Sequence, residues 1–262
     1  MILEEFDETK NSTFDPDEVS NVIPGFPKIA VTCFSSKLFE ELLNAYKHEE
    51  LGRVKNANGD NIIYKLNYKG TDIAFFMSRV GAPGCIADME EIIVMGAEKF
   101  VVFGTCGVLD SRINDLAIII PTSSIRDEGT SYHYAPASNE IEVNTNKDNL
   151  KLFKDILKKH NYSYVEGKNW TTDAIYRETR NKVMKRKEDG CISVDMECSS
   201  IKALMDFREK EVFQFFYAAD NLDSQVWDKR SLGCESRVPE KALIGVLAFE
   251  MAVEMSNRYD KD

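Results

Sequence analysis

The sequence predicts an α/β protein with a three-layer αβα architecture, a central mixed and twisted β-sheet flanked by helices. Three observations carry that prediction. Apolar runs such as KIAVTCF, KFVVFGT and VFQFFYAAD recur along the chain and read as strands buried on both faces. Stretches with apolar residues at helical spacing separate those runs, so helices cover the sheet. The 262 residues, 43% hydrophobic and 29% charged, match ordinary globular usage and suffice for one large core.

Taken in order, residues 1–24 form an N-terminal arm and residues 25–262 a single domain. Lys28 to Phe34 make the first strand. Leu38, Phe39, Leu42, Leu43 and Tyr46 then repeat at helical spacing, with Ser35 or Ser36 as the cap. Residues 61–79 read as a hairpin turning at Lys69-Gly70. Pro83 and Gly84 open a helix that ends near Gly96. Strands follow at 99–105 and 115–125, then a helix from Asn149 to Lys159 and a strand over 163–173. A charged helix from Arg177 to Lys187 precedes the strand CISVDM. A helix from Glu197, the strand at 212–220 and a closing helix from Pro239 complete the chain.

Composition narrows the function. A formal charge of −11 lacks the basic face a nucleic-acid binder needs. No apolar run approaches the roughly 18 residues of a membrane helix, and the acidic N-terminus does not read as a targeting peptide. The six cysteines form no CxxC, and the three histidines lie far apart, so neither a disulfide framework nor a metal site is expected. The expectation is a cytoplasmic protein with reduced, buried thiols.

Three segments carry polar groups where buried strands end, the place where ligands collect in such sheets. In VVFGTCGVLD a strand runs into Gly104-Thr105-Cys106-Gly107. Glycines there let the backbone approach a ligand, and the Thr105 hydroxyl with free N–H groups suits an anion. In SVDMECSS, Asp195 and Glu197 bracket Met196 at a helix start; one acid there fits the helix dipole. Two carboxylates around a thioether suit a sugar's vicinal hydroxyls and its apolar face. In FFYAADNLD, Asp220 follows a strongly apolar strand, where removal from water raises a carboxyl pKa and lets it act as a general acid.

In this order and approximate spacing, GTCG, VDMEC and the strand ending in Ala-Asp resemble the nucleoside phosphorylase superfamily, which holds purine nucleoside phosphorylases, uridine phosphorylases and hydrolytic nucleosidases. SRVGAP and IRDEGTSYHYAP resemble further segments of that family. The resemblance covers roughly Lys28 to the C-terminus. It implies a catalytic domain that transfers the sugar of a nucleoside to inorganic phosphate, giving free base and ribose 1-phosphate. Asp220 would protonate a purine N7, and Glu197 and Met196 would hold the ribose, with Asp195 one methylene shorter than the family's usual glutamate. Thr105 and Gly104 would bind phosphate. TTDAIYRETR resembles the base pocket, where Ile175 and Tyr176 compete for the stacking position. The resemblance also implies a homo-oligomer, a dimer or a hexamer built of dimers, with no organic cofactor and inorganic phosphate as co-substrate.

The chain departs from the pattern at the anion. Phosphate-dependent members carry an arginine in the loop after the first strand and another before the GT loop. The sequence has TCFSSKLFEE and Val101-Val102-Phe103 at those places. Arg79, at a strand end, is the expected substitute, with Ser35 and Ser36 as helix-start donors; Arg126 is a further candidate. The nucleosidases' water-activating glutamate is missing as well, since Phe34-Ser35-Ser36 stand there and Glu40 and Glu41 lie further on. Phosphorolysis is the favoured reading. Hydrolysis and a non-catalytic nucleoside-binding protein remain the alternatives. His133, Trp170, Trp227, Arg177, Arg180 and Arg230 are read as packing or solvated residues near the pocket.

Overall fold

The computed structural model describes residues 2–57 and 59–258. Its elements are β1 (Ile29–Cys33), α1 (Ser36–Asn44), β2 (His48–Val54), β3 (Asn61–Tyr68), β4 (Thr71–Met77) and α2 (Ala82–Met95), then β5 (Lys99–Val108), β6 (Ile118–Asp127), β7 (Glu140–Glu142), α3 (Lys147–Lys159) and β8 (Tyr164–Thr172). The chain continues with α4 (Arg180–Glu188), β9 (Cys191–Asp195), α5 (Cys198–Phe207), β10 (Glu211–Asn221) and α6 (Val238–Asn257). These form one mixed ten-stranded sheet, ordered β10-β6-β8-β9-β5-β1-β4-β3-β2, with β7 beside β6. Because β10 also pairs with β5, strands β5, β10, β6, β8 and β9 close into a small barrel, and β1, β4, β3 and β2 form a wing.

Alternation along β1 divides the core between two helical layers. Ile29, Val31 and Cys33 pack with α1, α3 and α6 on one side. Ala30 faces α2 and α5 on the other. The sheet therefore has helices on both faces, in three layers. Among the described residues, no helix is long and apolar enough to cross a membrane.

Local chemistry sets the element ends. Ser35 caps α1 by accepting the Leu38 N–H, and Asn146 caps α3 in the same way. Pro121 stands inside the central strand β6, where it lacks an N–H to donate. The register with β8 slips beside it, and its carbonyl accepts from the Asn144 amide instead. The charged helix expected from Arg177 begins later, at Arg180, because Thr179 caps it, and residues 175–177 form a short 3₁₀ turn. Two strands carry no sequence signal: β2 (HEELGRV) is an exposed edge without apolar alternation, and β7 has three residues. Within the arm, the Arg208 guanidinium donates to the Lys10 carbonyl and Ser20 to Glu91.

Candidate active site

A cavity of about 190 Å³ opens where β1, β4, β5, β9 and β10 end. Gly104, Thr105, Asp195, Met196, Glu197, Ile175 and Asp220 all line it. So do Phe34, Val80, Glu178, Phe216, Leu222 and Leu232. Three motifs that lie far apart in the chain thus meet in one place.

Asp220 reaches the cavity through an irregularity. Ala218 pairs with Cys106 and Asp220 with Gly107, so Ala219 is an extra residue on β10. A bulge re-aims the side chain that follows it, and Asp220 turns toward the β5 loop. A Cβ on Gly107 would lie 3.1 Å from Val194 and 3.3 Å from the Asp220 carboxyl, so only glycine leaves this approach open. Burial raises the Asp220 pKa. A 2.8 Å hydrogen bond from the Trp227 indole and the nearby Arg230 charge oppose that rise.

The two acids around Met196 divide their work. Asp195 Oδ1 accepts from Asn169 (2.6 Å) and Thr171 (2.7 Å), and Oδ2 from the N–H groups of Glu197 (2.9 Å) and Cys198 (2.7 Å). Its oxygens are occupied in tying the first turn of α5 to β8. That corrects the expectation of a sugar ligand: Asp195 holds the segment in place. Glu197 is 7% exposed and accepts from the Gly81 N–H at 2.6 Å, with the Met196 backbone N–H also acting on its carboxyl. Burial first, then the charge of Asp195, pushes its pKa up to about 8.

The anion end departs most from expectation. Arg79 does not line the cavity. It pairs with the buried Asp88 at 3.0 Å and donates to Asn56 and to the Gly59 carbonyl, so its three nitrogens face an adjoining depression. Ser35 caps α1 and is likewise absent from the cavity wall, and Ser36 lines the same depression as Arg79. Where an arginine was sought after β1, the Phe34 ring lies against Gly104, so close that a Cβ there would come within 2.9 Å of it. Among the described residues, four carboxyl groups line the cavity (Glu178, Asp195, Glu197 and Asp220), and no lysine, arginine or histidine does.

At the third side, Ile175 lines the cavity while Tyr176 is 96% exposed and outside it. Glu178 is a cavity residue that the motif reading passed over. It sits within TTDAIYRETR, but between Arg177 and Arg180 it reads as a solvated charge. Burial, then the Asp220 charge, raises its pKa to about 7. Arg126 serves the fold: its guanidinium binds Ser131, Ser138 and the carbonyls of Ala135 and Pro136, above the Tyr132 ring. Among the described residues, no cluster of three or more His, Cys, Asp or Glu is arranged to hold a metal.

The cavity is lined by the carboxyl groups of Glu178, Asp195, Glu197 and Asp220 beside apolar side chains, an arrangement that suits a small-molecule enzyme site. The chain belongs to the phosphorylase superfamily, whose family description matches residues 28–236. Several of its relatives are named guanosine, purine nucleoside or uridine phosphorylases, and it is an enzyme of that superfamily. The chain is 25% identical over 187 residues to a guanosine phosphorylase of Halorubrum lacusprofundi, spanning 70% of both chains. It is 24% identical over 157 residues to a DeoD-type purine nucleoside phosphorylase of Shewanella oneidensis, spanning 60% of this chain and 66% of that one. Among solved structures, a uridine phosphorylase from Vibrio fischeri superposes with a TM-score of 0.75 at 18% identity, covering 93% of this chain and 99% of the other. A purine nucleoside phosphorylase from Toxoplasma gondii in complex with immucillin-H superposes with a TM-score of 0.75 at 17% identity, covering 91% and 98%. These two likenesses concern the fold.

Proposed function

We propose that the protein cleaves the N-glycosidic bond of a purine nucleoside and transfers the sugar to inorganic phosphate. The observation that carries the reading is Asp220, a carboxyl whose pKa burial raises, in one cavity with Glu197, Met196 and the Gly104-Thr105 stretch of β5. Bond breaking leaves positive charge on the sugar and negative charge on the departing base. A proton from Asp220 to N7 neutralises the base, and a general acid of this kind contributes about 10²- to 10⁴-fold. Pyrimidines have no N7, so this acid favours a purine. The Glu197 carboxyl accepts from ribose hydroxyls, and the Met196 thioether covers the sugar's apolar face. Thr105 is the group that faces phosphate. No organic cofactor enters the scheme.

One observation favours a second reading, hydrolysis: among the described residues no cationic side chain lines the cavity. Under the first reading, the positive charge for phosphate comes from a neighbouring copy in a homo-oligomer. Product analysis separates the two. Purine base and ribose 1-phosphate, formed only when phosphate is present, support phosphorolysis; free ribose formed equally without phosphate supports hydrolysis. Nucleoside binding without turnover, unchanged by Asp220→Asn, would instead indicate a binding protein.

A further inference from the structure

We infer that Glu128 is a positioning residue: through the Ser199 hydroxyl it fixes the first turn of α5, and that turn aims the Glu197 carboxyl into the cavity. The inference rests on the reading of Glu197 as the sugar ligand. It gives a task to the segment IRDEGTSYHYAP, which the proposed chemistry leaves unused.

The start of α5 lacks a cap of its own. Glu197 is its N-cap residue, yet its side chain makes no capping bond, and its carboxyl is turned to the Gly81 N–H instead. A helix start without a cap leaves backbone N–H groups unpaired. Other elements supply the missing acceptors. Asp195 Oδ2 takes the Cys198 N–H, and the Thr171 hydroxyl takes the Ser199 N–H at 3.1 Å.

The Ser199 side chain is held from the RDEG turn. Its hydroxyl donates to Glu128 Oε1 at 2.9 Å. Glu128 follows β6 directly and is buried, as are Ser131 and Ser199. The same carboxyl accepts from the Ser131 hydroxyl, and its Oε2 accepts from the Ser131 N–H at 2.8 Å. Arg126 donates to the Ser131 hydroxyl at 2.8 Å. Arginine, serine and glutamate of one motif thus form a chain that ends on α5. The loop meets that helix again at its far end, where the Tyr134 ring packs edge-on against Phe207. A buried polar network whose members are bonded rigidifies the elements it joins. Ser199 follows Glu197 by two residues, so a shift of this turn displaces the acid, and displacements of about 1 Å are enough to be felt at a binding group.

The test removes the link alone. Glu128→Ala would strand the Ser131 donors and endanger folding, whereas Ser199→Ala deletes one hydroxyl. In the full-length enzyme, Ser199→Ala is expected to raise the KM for inosine about 10-fold. Its kcat should stay within about 2-fold, the signature of lost uniform binding. The KM for 2′,3′-dideoxyinosine, which offers Glu197 no hydroxyl, should not change. In the slow Asp220→Asn background, calorimetry should show inosine binding more tightly than the dideoxy analogue, and adding Ser199→Ala should remove most of the difference. Equal weakening of both ligands, or no change in either, would overturn the role of Glu128 while continued turnover leaves the catalytic reading standing. If no nucleoside is turned over but the advantage of inosine in binding falls with Ser199→Ala, the catalytic reading fails and the role of Glu128 stands.

Discussion

The indole N–H of Trp227 donates a 2.8 Å hydrogen bond to Oδ2 of Asp220, linking the loop after β10 to the acid at the end of that strand. Trp227 is otherwise 57% exposed. A donor to a carboxylate favours the ionised form, so this bond opposes the rise that burial causes. Trp227→Phe removes the donor, and the Asp220 pKa rises further. Because a general acid works while protonated, the alkaline limb of the pH–kcat profile should move to higher pH. An unmoved limb, with kcat otherwise intact, would separate Asp220 from the titration that limits the rate.

Glu197 carries a stability signature. Its pKa of about 8 in the folded chain exceeds the ordinary carboxyl value. The folded state therefore holds the proton more tightly between the two values. Its stabilising contribution is complete at acid pH and is lost as pH rises toward 8. Melting temperatures measured from pH 5 to 9 should fall more steeply for the wild type than for Glu197→Gln. The same variant should bind ribonucleosides up to about 10-fold more weakly, since a net hydrogen bond contributes about 0.5–1.5 kcal/mol.

Arg79 predicts a change in stability. Its partner Asp88 has a side chain only 2% exposed, and Arg79 itself 23%. Breaking a buried pair from one side costs about 3–5 kcal/mol. Arg79→Gln should lower the midpoint of denaturant unfolding and leave the KM for phosphate unchanged, as steady-state assays at low denaturant would show. A raised phosphate KM with normal stability would return Arg79 to the anion site.

How far the sequence could be read follows from where each residue's environment is decided. β1, β5 and β10 are buried on both faces, so their apolar runs declare them. β2 lies at the edge with mostly charged or exposed residues, and pairing with β3 alone makes it a strand. Thr105, Glu197 and Asp220 all line the cavity, as their place late in or just after buried strands led one to expect. The occupied oxygens of Asp195 were not legible, because Asn169 and Thr171, which fill one of them, lie on β8. Arg79 is fixed by Asp88, Asn56 and Gly59, which no motif joins to it. Glu178 faces the cavity because residues 175–177 make a tight turn before Thr179 caps α4, a detail of capping that charge pattern conceals.

The central claim is that Asp220 drives bond cleavage by protonating N7 of a purine. The most direct measurement compares kcat/KM for inosine with that for 7-deazainosine, which carries C–H in place of N7. The account predicts that the deaza analogue is cleaved at least about 100-fold more slowly, the loss expected when a general acid has no atom to protonate, and that Asp220→Asn removes most of the difference. Comparable cleavage of both nucleosides by the wild type would contradict it.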